Sequence, residues 1–324
     1  MRKTLFMAVM GFLAAACAPE ATKTEFVKGE PLEEGTYTVT EIAEQVYHLE
    51  DCNSANPKGT VLNDSGQVVS FNNCSDMYLI VGKKEALLID LSNEIRWAEN
   101  GVESLQKVVA DRIGELPLTI TCTHNHGDHL GMLPAFVNNP DVKFVMPKVD
   151  FQDRQDMFPA SQLSLYDEGF AFDLGGKVVK TVMVPGHTHG SIVFSLEGEN
   201  MLFTGDAIGS GSGVWIFSQE GLTEYCGGIL HLMQWIDNPD NGIDKDKLVI
   251  YGGHYHQRSA LELEDSEELG WSYLEDMDEL IGQMKEGTAE ATPSGQRMLD
   301  TNFHYGYATV TMNKDAYEAF KAAF

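Results

Sequence analysis

The chain has 324 residues, with 22 Lys and Arg against 49 Asp and Glu, for a formal net charge of −27 with histidine neutral. So acidic a surface excludes tracking of a phosphate backbone, which needs clustered lysine and arginine, and nucleic acid is not an expected partner. With 43% hydrophobic residues the length suffices for one large domain, or for one domain with an appendage, which is the arrangement expected here.

Arg2 and Lys3 precede an apolar stretch, Leu5 to Ala16, that is short for a bilayer span and ends in the small residues Ala14 to Ala16. Residues 1–18 therefore read as an export signal. Cys17 after three alanines resembles the lipid-modified cysteine of bacterial lipoproteins, although Leu13 stands four places before it instead of three. The expected location is the bacterial periplasm or cell envelope, with a lipid on Cys17 as the membrane contact. Cleavage after Ala18 without lipid is the alternative. Residues 19–36 are polar and proline-bearing, as suits a tether, and residues 37–258 form the main domain. Cys52 and Cys74 flank a loop rich in Asn, Ser, Pro and Gly and could staple it in an oxidising compartment. Tyr37 to Leu49 reads as two short strands, and Met77–Val81 with Ala86–Ile89 as a hairpin turning at Gly82 to Lys84. Val102, Leu105, Val109 and Ile113 then share one helical face.

The densest chemistry lies in Thr121 to Gly131, TCTHNHGDHLG. Leu118 to Thr123 reads as a buried strand, and Leu130 to Val137 has helical spacing of Leu133, Phe136 and Val137, so the motif falls in the loop between them. The alternating His124 and His126 can converge on one cation, while the adjacent Asp128 and His129 aim at a neighbouring point. Such a site needs further ligands from other strand ends. Val178–Val184 runs into Pro185, Gly186 and His187, Met201–Thr204 stops at Gly205 and Asp206, and Leu248–Tyr251 closes on Gly252, Gly253 and His254. Each candidate sits beside glycine, where backbone can approach an ion closely.

The segments THNHGDH, PGHTHG, FTGDA and GGH, in that order, resemble the metallo-β-lactamase superfamily. The resemblance implies an α/β fold, the αββα metallo-β-lactamase sandwich, here with a C-terminal extension over residues 259–324. It also implies two metal ions, usually zinc, with iron or manganese as alternatives. Carried over, His124, His126 and His187 match the ligands of one metal, Asp128, His129 and His254 those of the other, and Asp206 the bridging carboxylate. True β-lactamases tend to hold cysteine or serine at the position of Asp206, so the resemblance leans to the glyoxalase II and lactonase branch. Asp90, after the hairpin, matches a residue that holds a ligand histidine.

Directly after Asp206, IGSGSGVWIFSQEG reads as a flexible loop with Trp215 and Phe217 at its tip, a candidate pocket wall for a small-molecule substrate with an apolar moiety. Tyr225, Tyr255, His189 and His256 are candidate hydrogen-bond donors to that substrate. Ile229, Leu232, Met233 and Ile236 form a helical stripe, Leu261–Met284 reads as a helix with Leu269, Tyr273, Met277, Leu280 and Met284 inward, and Tyr307–Met312 and Asp315–Ala323 as a strand and helix. The expected function is hydrolysis of an ester, lactone or thioester, with amides and β-lactams behind, and with Asp128 relaying protons. An iron-dependent dioxygenase of sulfur compounds and a noncatalytic metal-binding surface protein are the alternatives.

Overall fold

The computed structural model describes residues 26–51, 53, 61–62, 68–70, 74–210, 213–254 and 268–323. The export signal, Cys17, Cys52, Tyr255 and His256 lie outside these residues, so the anchor, the Cys52–Cys74 pairing and two of the proposed substrate contacts lie outside them too.

In chain order the strands are β1 (Leu32–Glu34), β2 (Tyr37–Ala43), β3 (Val46–Glu50), β4 (Val61–Leu62), β5 (Val68–Ser70), β6 (Asp76–Val81), β7 (Ala86–Ile89), β8 (Leu118–Thr121), β9 (Val142–Pro147) and β10 (Leu163–Tyr166). There follow β11 (Ala171–Asp173), β12 (Val178–Met183), β13 (Ile192–Leu196), β14 (Met201–Gly205), β15 (Val214–Ile216), β16 (Val249–Gly252), β17 (Glu290–Pro293), β18 (Thr301–Tyr305) and β19 (Ala308–Met312). The α-helices are α1 (Gly101–Ile113), α2 (Lys148–Phe151), α3 (Gln219–Asp237), α4 (Trp271–Glu286) and α5 (Lys314–Lys321). An eight-stranded sheet, ordered β1-β2-β3-β6-β7-β8-β9-β10, faces a five-stranded sheet, ordered β11-β12-β13-β14-β16.

Two-residue alternation builds the layers, because successive side chains of a strand point to opposite faces. Along β6, Met77, Leu79 and Val81 pack with Leu105, Val108 and Val109 of α1. Tyr78 and Ile80 point the other way, into the seam between the sheets, where they join Phe194, Phe203 and Tyr251. The second sheet repeats the pattern, with Phe203 in the seam and Leu202 outward against Ile229 of α3 and Leu280 of α4. Every residue of β6, β7, β13 and β14 is buried, since both faces are covered. The result is the expected αββα sandwich. Cys122 packs into the α1-side core, where burial pushes its thiol pKa well up.

The structure departs from the sequence reading in four places. Residues 32–34, expected within the tether, pair with β2 as an edge strand. The helix expected over Leu130–Val137 is replaced by 3₁₀ turns at Gly127–His129 and Leu133–Ala135. Pro134 has no N–H for a helical ladder, and Gly131 and Met132 instead donate to the carbonyls of Ser92 and Leu91. Of the helix expected over Leu261–Met284, the described part is α4 from Trp271, and Leu269, expected on its inward face, is instead taken up in an antiparallel bridge to Ile250. Finally, part of the loop expected to be flexible after Asp206 is strand β15, paired in parallel with β19 and followed by α3, whose first turn the Ser218 hydroxyl caps. The C-terminal residues thus complete a four-stranded sheet, β15-β19-β18-β17, and share a core with α3. Among the described residues no helix is long and apolar enough to cross a membrane.

Gly131 follows the histidine motif at a point of close backbone contact: a Cβ there would lie 2.1 Å from the Glu94 nitrogen and 2.4 Å from the Asn93 carbonyl carbon. Gly131→Ala is expected to lower unfolding free energy in urea by about 1–3 kcal/mol, as overpacking does. Gly227→Ala, on the open face of α3 with nothing within 4 Å of the new methyl, should instead stabilise by about 0.5–1 kcal/mol.

Candidate metal centre

Four segments from both sheets end at the same edge of the sandwich. β8 delivers His124, His126, Asp128 and His129, and the turns after β12, β14 and β16 deliver His187, Asp206 and His254. Donor atoms of His124, His126, His187 and Asp206 lie within 4.8 Å of one another, as do those of Asp128, His129 and His254. Of these, His124, His129, His187 and His254 are buried.

What the imidazoles do with their outer nitrogens decides what the inner ones can offer. Asp90 accepts from the Thr123 N–H at 2.7 Å and from the Thr123 hydroxyl at 2.8 Å. That hydroxyl, having given its proton to Asp90, accepts from His124 Nδ1 at 3.0 Å. His129 Nδ1 donates at 3.0 Å to Asp90 Oδ2, the oxygen that also accepts from the Thr123 hydroxyl. His187 Nδ1 donates to the Trp215 carbonyl at 2.8 Å, and His254 Nδ1 to the carbonyl of Cys74. In each ring Nδ1 is engaged, which leaves Nε2 turned toward the centre as the nitrogen available to a cation. His124 Nε2 is fully buried and has no hydrogen-bond partner among the described residues, as suits an atom placed to hold a cation. His126 differs, presenting Nδ1, which lies 2.9 Å from His187 Nε2. Asp90 adopts a left-handed backbone, with φ of 65°, a conformation that Asp tolerates better than most residues.

Asp206 stands between the two groups. Its Oδ1 lies 3.3 Å from His129 Nε2 and 3.4 Å from His254 Nε2, and its Oδ2 lies 3.5 Å from His187 Nε2. One oxygen thus faces each group. Asp128 Oδ2 is 3.6 Å from His254 Nε2, and the Ser210 hydroxyl donates to Asp206 Oδ1 at 2.9 Å. Gly253 must lack a side chain, because a Cβ would sit 2.6 Å from Asp206 Oδ1 and 2.7 Å from the His129 ring.

The protonation preferences of the two halves differ. Burial, with the neighbouring His129 and His187, drives His124 well below the usual imidazole pKa, and burial beside His187 takes His126 down to about 4. His187 is lowered by burial as well. Burial also opposes charge on His129 and His254, but carboxylates outweigh it: Asp206 and Asp90 hold His129 well above its normal range, and Asp206 lifts His254 to about 9. Burial would raise Asp206, yet His254 and His129 hold it well below the carboxylate range. The arrangement can accept positive charge beside Asp206 and offers neutral imidazoles on the other side, the donor set of a site for zinc-like cations.

The other expected residues separate. Trp215 and Phe217 are partly exposed, at 39% and 45%, and the Phe217 ring lies 5.8 Å from that of His126 and 5.6 Å from that of His187. Phe217 stands at the mouth of the site, while Trp215 meets it through its backbone carbonyl. Tyr225 does neither: it is fully buried and its hydroxyl donates to the Ala207 carbonyl at 2.8 Å, so it packs in the core under the site. His189 points away, with Nδ1 bonded to Glu224 at 2.7 Å. The sequence reading missed a third group, the buried His48 and Asp76 with the half-buried Glu50, on the seam face of β3 and β6. His48 Nε2 lies 3.1 Å from Asp76 Oδ1, and the Asp76 N–H donates to the Gly253 carbonyl at 2.8 Å, which ties the group to the strand end that carries His254. The i, i+2 spacing of His48 and Glu50 was its only sequence signal.

A ligand that binds the folded chain alone stabilises it by mass action, by about 4 kcal/mol when its free concentration is 1,000 times its Kd. Adding zinc to chelator-treated protein should accordingly raise the melting temperature, and His124→Ala, which leaves only the second group intact, should reduce that rise in the same calorimetric scan.

Comparison with known proteins agrees with this geometry. The chain is 29% identical over 138 residues to the atrochrysone carboxyl ACP thioesterase of Claviceps purpurea (strain 20.1), a match spanning 41% of this chain and 40% of that protein. It is 35% identical over 107 residues to the hydroxyacylglutathione hydrolase of Aeromonas salmonicida (strain A449), spanning 32% and 39%. The match thus covers about two fifths of each of these relatives. Among solved structures, the metallo-beta-lactamase from Pontibacter korlensis superposes with a TM-score of 0.53 at 18% identity, covering 76% of this chain and 99% of that one, a likeness of fold. The sequence profile of the metallo-beta-lactamase superfamily matches residues 75–254, the stretch that contains all seven converging side chains, and the chain belongs to that superfamily.

Proposed function

We propose that the chain is a hydrolase with two zinc ions that cleaves an ester, lactone or thioester. The observation that carries this reading is Asp206, whose two carboxylate oxygens face two separate groups of donor atoms. His124 Nε2, His126 Nδ1 and His187 Nε2 would hold one ion, and Asp128, His129 and His254 the other, with Asp206 shared. Ions bound there would supply Lewis acidity and bring the pKa of water toward neutrality.

The remaining tasks fall to the chain itself. Asp128 is the most exposed of the carboxylates at the centre, with 26% of its side chain accessible, and can take a proton from the attacking water and pass it to the leaving group. Asp90, the Trp215 carbonyl and the Cys74 carbonyl hold the imidazoles in fixed tautomers throughout. Cys122 is buried away from the centre with its thiol kept protonated, so it is no nucleophile. Phe217, 45% exposed beside His126 and His187, gives the mouth of the site an apolar surface that suits an acyl chain or ring. The relatives' printed names, one a thioesterase and one a hydroxyacylglutathione hydrolase, make acyl thioesters the first substrates to test.

Protein purified without added metal should contain about two zinc ions per chain and hydrolyse acyl thioesters, esters or lactones. A single iron per chain with oxygen uptake would overturn the reading in favour of a dioxygenase. His187→Ala and Asp206→Ala should each abolish turnover and lower metal content, and retained activity with full metal loading would refute their assignment. Phe217→Ser should raise KM for long acyl chains about tenfold while leaving KM for acetyl substrates near that of the parent, as loss of one apolar contact would. An equal rise for both would remove Phe217 from the substrate wall.

A further inference from the structure

The three histidines of the first group come from two loops, residues 124–129 and 187–190, that belong to different sheets. Their flanks are joined by one backbone bond, from the Ile192 N–H to the Thr123 carbonyl at 2.8 Å, and the gap between the loops lies beyond it. The side chain that spans it is Asp150, in the single-turn helix α2, which is 94% buried by its 6% exposure and touches none of the seven converging side chains in any hydrogen bond. Its Oδ2 accepts from the backbone N–H of Asn125, between His124 and His126, at 3.1 Å, and from the Thr188 hydroxyl, next to His187, at 2.7 Å. Its Oδ1 accepts from the Gly190 N–H at 2.8 Å.

Neighbouring contacts close the arrangement. The Asn125 amide donates to the Asp150 carbonyl at 3.1 Å, and Arg154 donates to the Asn125 carbonyl at 3.1 Å, so Asn125 is gripped from both sides. Thr188 Oγ1 and Ser191 Oγ lie 2.7 Å apart. Gly190 accommodates the carboxylate only because it lacks a side chain: a Cβ there would lie 2.6 Å from Asp150 Oδ1 and 2.7 Å from the Asp150 nitrogen. The second group, Asp128, His129 and His254, has its own supports in Asp90 and the Cys74 carbonyl, and none of them involves Asp150.

We propose that Asp150 is a positioning residue that sets the spacing of His124 and His126 against His187, and thereby the affinity of the first group, and not the second, for a divalent cation. The proposal rests on the dinuclear reading above. Charge-assisted hydrogen bonds from a carboxylate to backbone N–H groups are short and directional, so the two loops move as one body about it. Loss of an acceptor in such a supporting position costs about 10–100-fold in metal affinity.

The experiment measures zinc dissociation constants of the full chain by chelator competition in two backgrounds. His254→Ala leaves the first group, and His187→Ala leaves the second. Adding Asp150→Asn should raise the dissociation constant about 10–100-fold in the first background and by less than about threefold in the second. Gly190→Ala, which displaces the carboxylate without altering it, should show the same selectivity. An equal change in both backgrounds would make Asp150 a general stabiliser of the fold, and no change in either would leave it without a role; both results overturn the proposal. If the parent chain takes up no zinc, the dinuclear reading falls and this proposal with it, whereas zinc uptake by the parent with an unselective Asp150→Asn effect sinks this proposal alone.

Discussion

The carboxylate of Asp206 is the constraint on which the site depends. A buried carboxylate is costly unless opposite charge or strong donors surround it. Here His129 and His254 face one oxygen and His187 the other, at 3.3 to 3.5 Å. These contacts are long for hydrogen bonds and well suited to side chains that share a cation. Asp206 also follows Gly205 at the end of β14, the strand that pairs with both β13 and β16, so its position is fixed from either side by the ladder of the second sheet.

From that carboxylate outward, each layer of the sandwich has a part in holding the donors. The first sheet supplies the loop after β8 and, through Asp90 after β7, the acceptor that orients His129 and, by way of Thr123, His124. The second sheet supplies His187, Asp206 and His254. The C-terminal residues enter through β15, whose pairing with β19 fixes the Trp215 carbonyl that receives the His187 N–H. The extension is thus linked to the centre through β15 and the Trp215 carbonyl and, at Leu269, through its bridge to Ile250 of β16, and Phe217 at the mouth follows β15 directly. Rigid orienting contacts of this kind are what a hydrolytic centre requires, because the geometry has to be in place before the substrate arrives.

Much of this was legible in the sequence because it is local. His124, His126, Asp128 and His129 share one short loop, and His187, Asp206 and His254 each follow an apolar strand and a glycine, so residue type and neighbours identify them without a fold. The layer order came from the family resemblance of the four motif segments, since β6 and β7 are buried on both faces and show no alternation of residue type. What escaped depends on contacts between distant segments. The acceptors for His187 and His254 are backbone carbonyls, which leave no mark on residue type, and the role of Asp150 emerges only when α2 is laid between two loops. Tyr225 was misplaced in the pocket although it lies four residues before Ile229 and seven before Leu232, on the same buried face of α3. The helix expected over Leu130–Val137 failed for a different reason: its periodicity was real, but Pro134 and the backbone pairing of Gly131 with Ser92 broke the ladder. The flexible loop expected after Asp206 proved partly strand because its partner, β19, lies almost a hundred residues on, at about the far end of the chain.

The central claim is that seven side chains hold two cations on either side of one carboxylate. Anomalous scattering recorded above and below the zinc edge, on crystals of the full chain grown without added metal, tests it most directly. Two peaks about 3.5–4 Å apart, flanking Asp206 with His124, His126 and His187 around one and Asp128, His129 and His254 around the other, are the predicted result. A single peak, or a density in which Asp206 contacts no metal, would contradict it.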